Sequence, residues 1–405
     1  MYNRRFSNVT SSRHSFRKPF SQRGGSFSRP QRRGGPKGEN INVSKFINKT
    51  VVTEVPEKFI PVHKFADFAI DAVLKGAIAK KGYVTPTPIQ DKAIPPALLG
   101  RDILGIANTG TGKTGAFLIP LIDKVRKNPK EQVLIIVPTR ELALQVGEEL
   151  KGFTAGMKIY SVCVVGGMSA GRQISELRYQ YNFIIGTPGR LKDFVERRII
   201  RLAEFSTVVL DEADRMLDMG FVNEMRKVMA GMPKVRQTLF FSATLSPAIE
   251  KLISEFLKDP VRISVKKNDT PKNVDQDVVR IKSGENKIDV LHSLLSQKDF
   301  IKVLIFGRTK HGVEKISKTL LERGFKAESI HGNKNQGQRQ RALLKFKDNH
   351  VQVLVATDVA ARGLDIADVS HVINYDLPQT YNDYVHRIGR TGRGEKHGKA
   401  LTFIE

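Results

Sequence analysis

Short apolar, β-branched runs alternate with amphipathic stretches along most of the chain. The first series of runs covers residues 102–107, 133–137, 183–185, 208–210 and 239–241. After a polar, charged stretch near 266–273 the series restarts, at 303–306, 353–355, 372–374 and 401–404. Such alternation predicts βαβ units, in which helices cover a parallel sheet. The restart predicts two α/β domains, 62–264 and 276–405, joined by a hydrophilic linker at 265–275.

Residues 1–40 differ in composition from the rest and precede a short lead-in segment at 41–61. They contain ten Lys or Arg residues, one acid (Glu39), four interspersed phenylalanines and RGG triplets at Arg23 and Arg33. Too little of this segment can be buried to offset the entropy of ordering it, so we expect a disordered basic tail. Arginines and aromatics that stack on bases favour a nucleic-acid-binding arm; the alternative is a solubilising tail.

The net charge of +26 narrows the choice of partners. The tail carries +9 of it, so the remaining chain is basic as well. Such a field attracts polyanions, most often nucleic acid and less often an anionic membrane. No apolar run approaches the roughly eighteen residues of a membrane span, and no secretory signal follows Arg4 and Arg5. Cys163 is the single cysteine, which fits a reducing cytosol, and its apolar neighbours predict core packing rather than a catalytic thiol.

Residues 107–114 read ANTGTGKT and follow a predicted strand. The segment is close to GxxxxGK(S/T), a loop whose backbone N–H groups cradle phosphates while its lysine reaches the β and γ oxygens. Ala107 replaces the first glycine, but Gly110 and Gly112 still allow close approach to phosphate. The pattern predicts a nucleotide site formed by Thr109, Gly110, Thr111, Gly112, Lys113 and Thr114.

Further motifs follow the other predicted strands of the first series. Residues 211–214 read DEAD, and PTREL, TPGR and SAT occupy 138–142, 187–190 and 242–244. Each is weak alone, since a lone DEAD is usually a solvated acidic turn. In open α/β sheets, however, ligands gather at the carboxyl ends of the strands, so the motifs predict one composite site.

With ARGLDIADV at 361–369 and HRIGRTGR at 386–393, these motifs make the chain resemble a DEAD-box RNA helicase from about Phe65 onward. The family belongs to superfamily 2 and has two RecA-like domains. Residues 215–221, RMLDMGF, resemble the RhlE-type bacterial branch, in which the basic tail is more usually C-terminal.

The resemblance implies an ATP and Mg²⁺ site shared by both domains. Lys113 would bridge the β and γ phosphates, Thr114 and Asp211 would hold Mg²⁺, and Glu212 would orient the attacking water, with a salt bridge as its alternative role. Residues 82–90 resemble the Q motif, which implies adenine recognition by Gln90 and packing by Tyr83 and Phe65. The second domain would supply a ribose contact and two arginine fingers: Asp365, Arg390 and Arg393.

The resemblance also implies an RNA surface and a coupling network. The RNA-binding residues would be Arg140, Gly166, Gly167, Thr187, Arg190, Arg308, Thr309, Gln338, Arg341, Thr357 and Arg362. The residues coupling hydrolysis to strand separation would be Ser242, Thr244, Asp214 and His386. Few aromatics lie among these positions, so we expect sequence-independent, salt-sensitive binding to the RNA backbone and 2′-OH groups. Two alternatives are a non-catalytic RNA clamp on the same fold and a DNA translocase.

Overall fold

The computed structural model of the protein describes residues 46–47, 59–108, 110–265, 273–361, 366, 368–392 and 397–404. Two parallel sheets organise these residues. We refer to residues 59–265 as the first lobe and residues 273–404 as the second lobe. The predicted basic tail at 1–40 lies outside the described residues, and the domain limits at 62–264 and 276–405 stay a prediction.

The first lobe contains a seven-stranded sheet. Its strands are β1 (Ile103–Ile106), β2 (Val133–Ile136), β3 (Ser161–Val164), β4 (Phe183–Gly186), β5 (Thr207–Leu210), β6 (Gln237–Ser242) and β7 (Val261–Ser264). The spatial order is β3-β4-β2-β5-β6-β1-β7, and every neighbouring pair is parallel. Its helices are α1 (Ala72–Lys80), α2 (Pro88–Leu98), α3 (Lys113–Lys127), α4 (Arg140–Phe153), α5 (Ala170–Glu176), α6 (Pro188–Glu196), α7 (Ala213–Asp218), α8 (Val222–Gly231) and α9 (Pro247–Phe256), and a 3-10 turn occupies Leu202–Glu204.

The second lobe contains a six-stranded sheet of the same kind. Its strands are β8 (Val274–Arg280), β9 (Val303–Phe306), β10 (Ala327–Ile330), β11 (Val353–Ala356), β12 (His371–Asn374) and β13 (Gly398–Ile404). The spatial order is β10-β11-β9-β12-β13-β8, again with parallel neighbours. Its helices are α10 (Lys287–Leu295), α11 (Lys310–Glu322), α12 (Gln336–Lys347), α13 (Asp358–Ala361) and α14 (Tyr381–Ile388).

Both sheets are buried on both faces, which explains why their central strands read as continuous apolar runs. Alternate residues of β1 and β9 enter separate core clusters: Ile103 and Val303 pack on one face of their sheets, Leu104 and Leu304 on the other. The predicted fold, two RecA-like lobes with helix-covered parallel sheets, is confirmed. Among the described residues, no helix combines the length and the apolar character that crossing a bilayer requires.

Candidate nucleotide and RNA site

The loop between β1 and α3 is shaped for phosphate. Gly112 has φ +90°, a left-handed conformation that glycine adopts without steric penalty, and α3 begins at the next residue. The Nζ of Lys113 donates a hydrogen bond to the Ala107 carbonyl oxygen at 2.9 Å, and only 6% of this residue is exposed. Because N–H groups at a helix N-terminus attract anions, the loop is suited to a polyphosphate with Lys113 already in place.

The other described residues of the predicted loop lie in the same turn that leads into α3. Gly110 also has a left-handed backbone, with φ +81°. The Thr111 hydroxyl donates to the Asn108 carbonyl oxygen at 2.8 Å, and Thr114 is half-buried in the first turn of α3. Thr109 lies outside the described residues.

Gln90, on α2, is bonded directly to the phosphate loop. Its Nε2 donates to the Gly112 carbonyl oxygen at 3.1 Å, and its Oε1 accepts from the Thr87 N–H at 3.0 Å. A Cβ at position 112 would lie 2.7 Å from that Nε2, so the helix and the loop require the glycine for their close approach. Gln90 therefore couples its helix to the phosphate loop, and its predicted contact with adenine stays a prediction.

An aromatic cluster lies beside Gln90. The Tyr83 ring packs edge-on against Phe65 at 5.9 Å and Phe153 at 5.4 Å between ring centroids. Its hydroxyl donates to Glu149 Oε1 at 2.7 Å, and Phe65 is buried in the core. The structure thus brings Tyr83 and Phe65, the two predicted aromatic residues, to the Gln90 side of the loop. The Tyr83 side chain is held by its ring contacts and by the hydrogen bond of its hydroxyl group.

Asp91, which follows Gln90, is a positioning group that sequence analysis missed. Its carboxylate accepts hydrogen bonds from the backbone N–H groups of Val62 and His63, each at 3.0 Å, and lies 2.8 Å from His63 Nδ1. Burial alone would raise the pKa of Asp91, but these bonds lower it below its ordinary value. The segment that leads to Phe65 is therefore fastened to the helix of Gln90. No local pattern indicates a partner 28 residues away.

The DEAD acids lie at the carboxyl end of β5. Burial raises the pKa of Asp211 to about 6, while the nearby Lys113 ammonium opposes the shift. Glu212 has a left-handed backbone (φ 53°, ψ 48°), an arrangement that non-glycine residues rarely adopt and that clusters at functional sites. Its Oε2 forms an ion pair with Arg215 Nη1 at 3.1 Å, and both side chains are almost fully buried. The alternative weighed for Glu212, a salt bridge, is thus present in this structure.

The four predicted coupling residues are linked through Asp214 and Arg215. Asp214 Oδ2 accepts from the Ala243 N–H and from the Thr244 hydroxyl, both at 3.1 Å. In turn, Ser242 Oγ donates to the Thr244 carbonyl oxygen at 2.7 Å. Arg215 Nη2 lies 3.1 Å from Nδ1 of His386, on α14 of the second lobe. A polar path therefore runs from the end of β6, past the DEAD acids, into the second lobe.

A groove of about 440 Å³ lies between the two lobes, beside the loop after β2. Its walls include Arg140, Glu141, Gly166, Thr187, Arg190 and Arg339. The guanidinium of Arg140 lies across Gly167, where any Cβ would clash with it, and Gly167 has φ +73°. Burial and then the neighbouring Arg339 lower the pKa of Arg140. The predicted first-lobe RNA residues are thus gathered around one basic groove.

Arg339, from the second lobe, is a groove residue that sequence analysis missed. Its Nη2 forms an ion pair with Glu141 Oε1 at 2.9 Å, and their side chains are only 12% and 7% exposed. The predicted pair on the same helix behaves differently: Gln338 closes a capping box with Asn335, and Arg341 is exposed. Gln336 and Arg339 have the same spacing as Gln338 and Arg341, so spacing alone could not decide between them.

The other second-lobe predictions are only partly covered by the described residues. Arg308 is exposed and donates its N–H to Asp376 Oδ2 at 2.7 Å, and Thr309 caps α11. Thr357 is half-buried between β11 and α13, and Arg390 is buried after α14. The remaining predicted residues, Arg362, Asp365 and Arg393, lie outside the described residues.

Two family models match this chain in sequence. "DEAD/DEAH box helicase" covers residues 87–252, and "Helicase conserved C-terminal domain" covers residues 286–395. Together they span most of both lobes. The chain belongs to the DEAD-box RNA helicases.

Named relatives agree with this assignment. The helicase is 46% identical to the DEAD-box ATP-dependent RNA helicase CshA of Bacillus subtilis over 342 residues, which cover 84% of this chain and 69% of CshA. Saccharomyces cerevisiae Dbp5 bound to RNA and ADP BeF3 is 30% identical, with a TM-score of 0.74 over 84% of this chain and 89% of Dbp5. A DEAD box protein from Methanococcus jannaschii is 37% identical, with a TM-score of 0.51 over 85% and 94%. The assignment to the RhlE-type branch stays a prediction.

Proposed function

We propose that this helicase binds ATP in its first lobe and completes the catalytic site with groups of the second lobe. The chain is an RNA-dependent ATPase of the DEAD-box family. One observation carries the proposal: His386 of the second lobe lies 3.1 Å from Arg215, which pairs with Glu212 of the DEAD motif. The ion pairing of the Glu212 carboxylate is therefore linked, through Arg215, to the position of the second lobe. Hydrolysis would accordingly follow closure of the two lobes.

Lobe closure in this structure is supported by two contacts between the lobes. Arg339 forms an ion pair with Glu141 at 2.9 Å, and His386 lies 3.1 Å from Arg215. RNA that contacts both lobes would stabilise this arrangement.

The nucleotide would be held by residues of the phosphate loop and the DEAD motif. Lys113 neutralises the β and γ phosphates, Glu212 orients the attacking water, and Arg390 neutralises charge that develops on the γ phosphate. Mg²⁺ fits here, because a bound cation would offset the cost of burying the Asp211 carboxylate in its charged form, and the half-buried Thr114 offers a second oxygen donor. When bound, Mg²⁺ would neutralise phosphate oxygens; Thr114 and Asp211 are its proposed ligands.

The basic groove would bind the RNA backbone. Nη1 of Arg190 and Nε of Arg339 are buried and have no hydrogen-bond partner among the described residues. Buried donors of this kind usually find an acceptor, and phosphate oxygens are suitable ones. Contacts to phosphates carry no base information, so we infer sequence-independent, salt-sensitive binding. Local strand separation would follow when the bound strand is bent away from a duplex and hydrolysis reopens the lobes.

The basic tail at 1–40 is proposed as a second nucleic-acid arm. Deletion of these residues is expected to weaken RNA affinity and to reduce its salt dependence. With fewer phosphate contacts, RNA binding releases fewer counterions. The turnover number at saturating RNA should remain that of the full chain. RNA affinity at low salt that does not change on deletion would make the tail a solubilising segment. We further propose domain limits of 62–264 and 276–405 and a cytosolic location, which a single, unpaired thiol fits.

The deciding experiment measures ATP hydrolysis without polymer, with single-stranded RNA and with DNA of identical sequence. Stimulation by RNA alone is expected, because 2′-OH groups distinguish the two polymers. Equal stimulation by DNA would favour a translocase. Tight ATP binding without turnover on either polymer would favour a static RNA clamp.

A further inference from the structure

Phe46 precedes the first lobe in sequence but is buried in the second lobe. Only 1% of this residue is exposed, and it belongs to a hydrophobic cluster with Val274, Tyr384, Ile388 and Ala400. Its ring meets that of Tyr384 edge-on, with 4.8 Å between centroids and 64° between planes. This geometry is one that aromatic pairs favour beyond simple burial. A residue of the lead-in segment thus completes a cluster in which none of the described residues belongs to the first lobe.

The cluster lies behind α14, the helix that leads to the proposed arginine finger. Tyr384 and Ile388 are four residues apart, so they share one face of this helix, and Phe46 packs against that face. The hydroxyl of Tyr384 also donates to Gln276 Oε1 on β8 at 2.9 Å. Phe46 therefore contacts α14 at Tyr384, the residue whose hydroxyl group bonds to the edge strand β8.

Other side chains of α14 point to different partners. Arg387 binds both carboxylate oxygens of Asp358, at 2.6 and 2.7 Å, and donates to Asn374 Oδ1 at 3.2 Å. His386 reaches Arg215 of the first lobe at 3.1 Å. Arg390 continues the helical path, since its N–H donates to the Arg387 carbonyl oxygen at 3.1 Å. The position of α14 thus sets both the contact with the first lobe and the start of the finger.

We propose that Phe46 is a positioning residue for hydrolysis, because it fixes the helix that carries His386 and leads into Arg390. The inference rests on the proposed function, which assigns Arg390 to the γ phosphate. Removal of the ring would leave a cavity behind Tyr384 and Ile388, and the helix would shift to fill part of it. A displacement of about 1 Å at a group that stabilises the transition state can lower the rate on the order of a hundredfold. Nucleotide binding by the first lobe needs none of these contacts.

The test compares Phe46→Ala with Ile47→Ala as its control, because Ile47 is the next residue in the chain and is 43% exposed. At saturating ATP and RNA we expect kcat of Phe46→Ala to fall roughly ten- to a hundredfold, with the ADP affinity measured without RNA unchanged. Ile47→Ala should match the wild type, and Phe46→Leu should recover most of kcat. Arg390→Lys should itself lower kcat. In that background Phe46→Ala should cause a smaller further loss of kcat, because both changes disturb the same unit, α14 with Arg390 after it.

Three results would overturn the inference. They are equal kcat values for Phe46→Ala and Ile47→Ala, the same fold-loss in the wild-type and Arg390→Lys backgrounds, and loss of ADP affinity together with kcat. The last result would indicate general unfolding rather than misplacement of α14. A wild-type protein that RNA does not stimulate would instead overturn the proposed function. The two failures are therefore distinguishable.

Discussion

The two lobes share one architecture but contribute opposite chemistry to the site. The first lobe presents the carboxylates of Asp211, Glu212 and Asp214 after the central strand β5, together with a lysine in a phosphate loop. The second lobe contributes Arg339 and His386 across the interface, with Arg390 at the end of α14. Under the proposed function, the first lobe would hold a nucleotide alone, whereas charge neutralisation during hydrolysis would depend on the second lobe.

Glu212→Gln should lower hydrolysis most strongly, because it removes the proposed water-orienting carboxylate and leaves Lys113 in place. We expect hydrolysis to fall about a hundred- to ten-thousandfold, the range typical of a lost general base. ATP would still close the lobes, so the RNA off-rate in the presence of ATP should fall. Single-turnover hydrolysis and dissociation of fluorescent RNA measure both effects.

Lys113→Ala is the matched comparison for Glu212→Gln. It should also lose turnover at saturating RNA, but through failure of the phosphate site, so it should not trap RNA. If Glu212→Gln leaves the RNA off-rate unchanged with ATP, the carboxylate serves only its ion pair with Arg215. Wild-type turnover in Lys113→Ala would refute the phosphate-loop assignment.

A smaller effect is expected from Arg339→Ala, which removes a second-lobe cation without touching the nucleotide pocket. The change breaks the ion pair with Glu141 and leaves a buried carboxylate unpaired, which costs about 2 kcal/mol or more. The RNA concentration for half-maximal ATP turnover should therefore rise roughly thirtyfold. ADP affinity without RNA should stay at the wild-type value.

Arg341→Ala is the control for Arg339→Ala, since Arg341 is on the same helix and is exposed. It should shift RNA-dependent turnover much less. A larger effect of Arg341→Ala than of Arg339→Ala would favour Arg341, the residue predicted from sequence, over Arg339 as the RNA contact.

Whether the sequence pattern predicted a strand depends on the position of that strand in its sheet. All nine apolar runs lie in β1, β2, β4, β5, β6, β9, β11, β12 and β13. The four strands without such a run are β3, β7, β8 and β10, which are the edges of the two sheets. Central strands are buried on both faces and must be apolar throughout, whereas edge strands such as β7 alternate exposed and buried residues. The pattern therefore predicts the interior of a parallel sheet better than its edges.

Prediction of the nucleotide and RNA site from sequence has a similar limit. Motifs with tight local spacing, such as the phosphate loop and DEAD, indicate their own chemistry because their residues act together along the chain. Arg339, Asp91 and Phe46 act through partners that lie far away in sequence, and only folding shows which side chain meets Glu141, His63 or Tyr384. On α12 the predicted pair, Gln338 and Arg341, shares its spacing with Gln336 and Arg339, and only the structure shows that Arg339 forms the ion pair across the lobes.

Cys163 lies in the first lobe, and the reactivity of its thiol reports on the packing of that lobe alone. We expect the interface substitution Arg339→Ala to change this reactivity least of all the properties considered. This half-buried residue on β3 packs against the core, as predicted, and donates its Sγ–H to the Ala143 carbonyl oxygen at 3.7 Å. Burial raises the pKa of Cys163 to about 11 from the ordinary 9.0. The reactive thiolate at pH 8 should thus be roughly a hundredfold scarcer in the folded chain than in the unfolded one.

Alkylation by iodoacetamide as a function of pH tests this environment. Because the folded pKa is the higher one, the stabilisation by the buried thiol is fully present below pH 9 and is lost as the pH rises through about 11. The labelling midpoint should therefore lie near pH 11 in the folded protein and near pH 9 in urea. Arg339→Ala should label like the wild type, because its lesion is confined to the interface between the lobes. Faster labelling in Arg339→Ala would show that the change also loosens the first lobe, and the contrast between the two lobes would no longer hold.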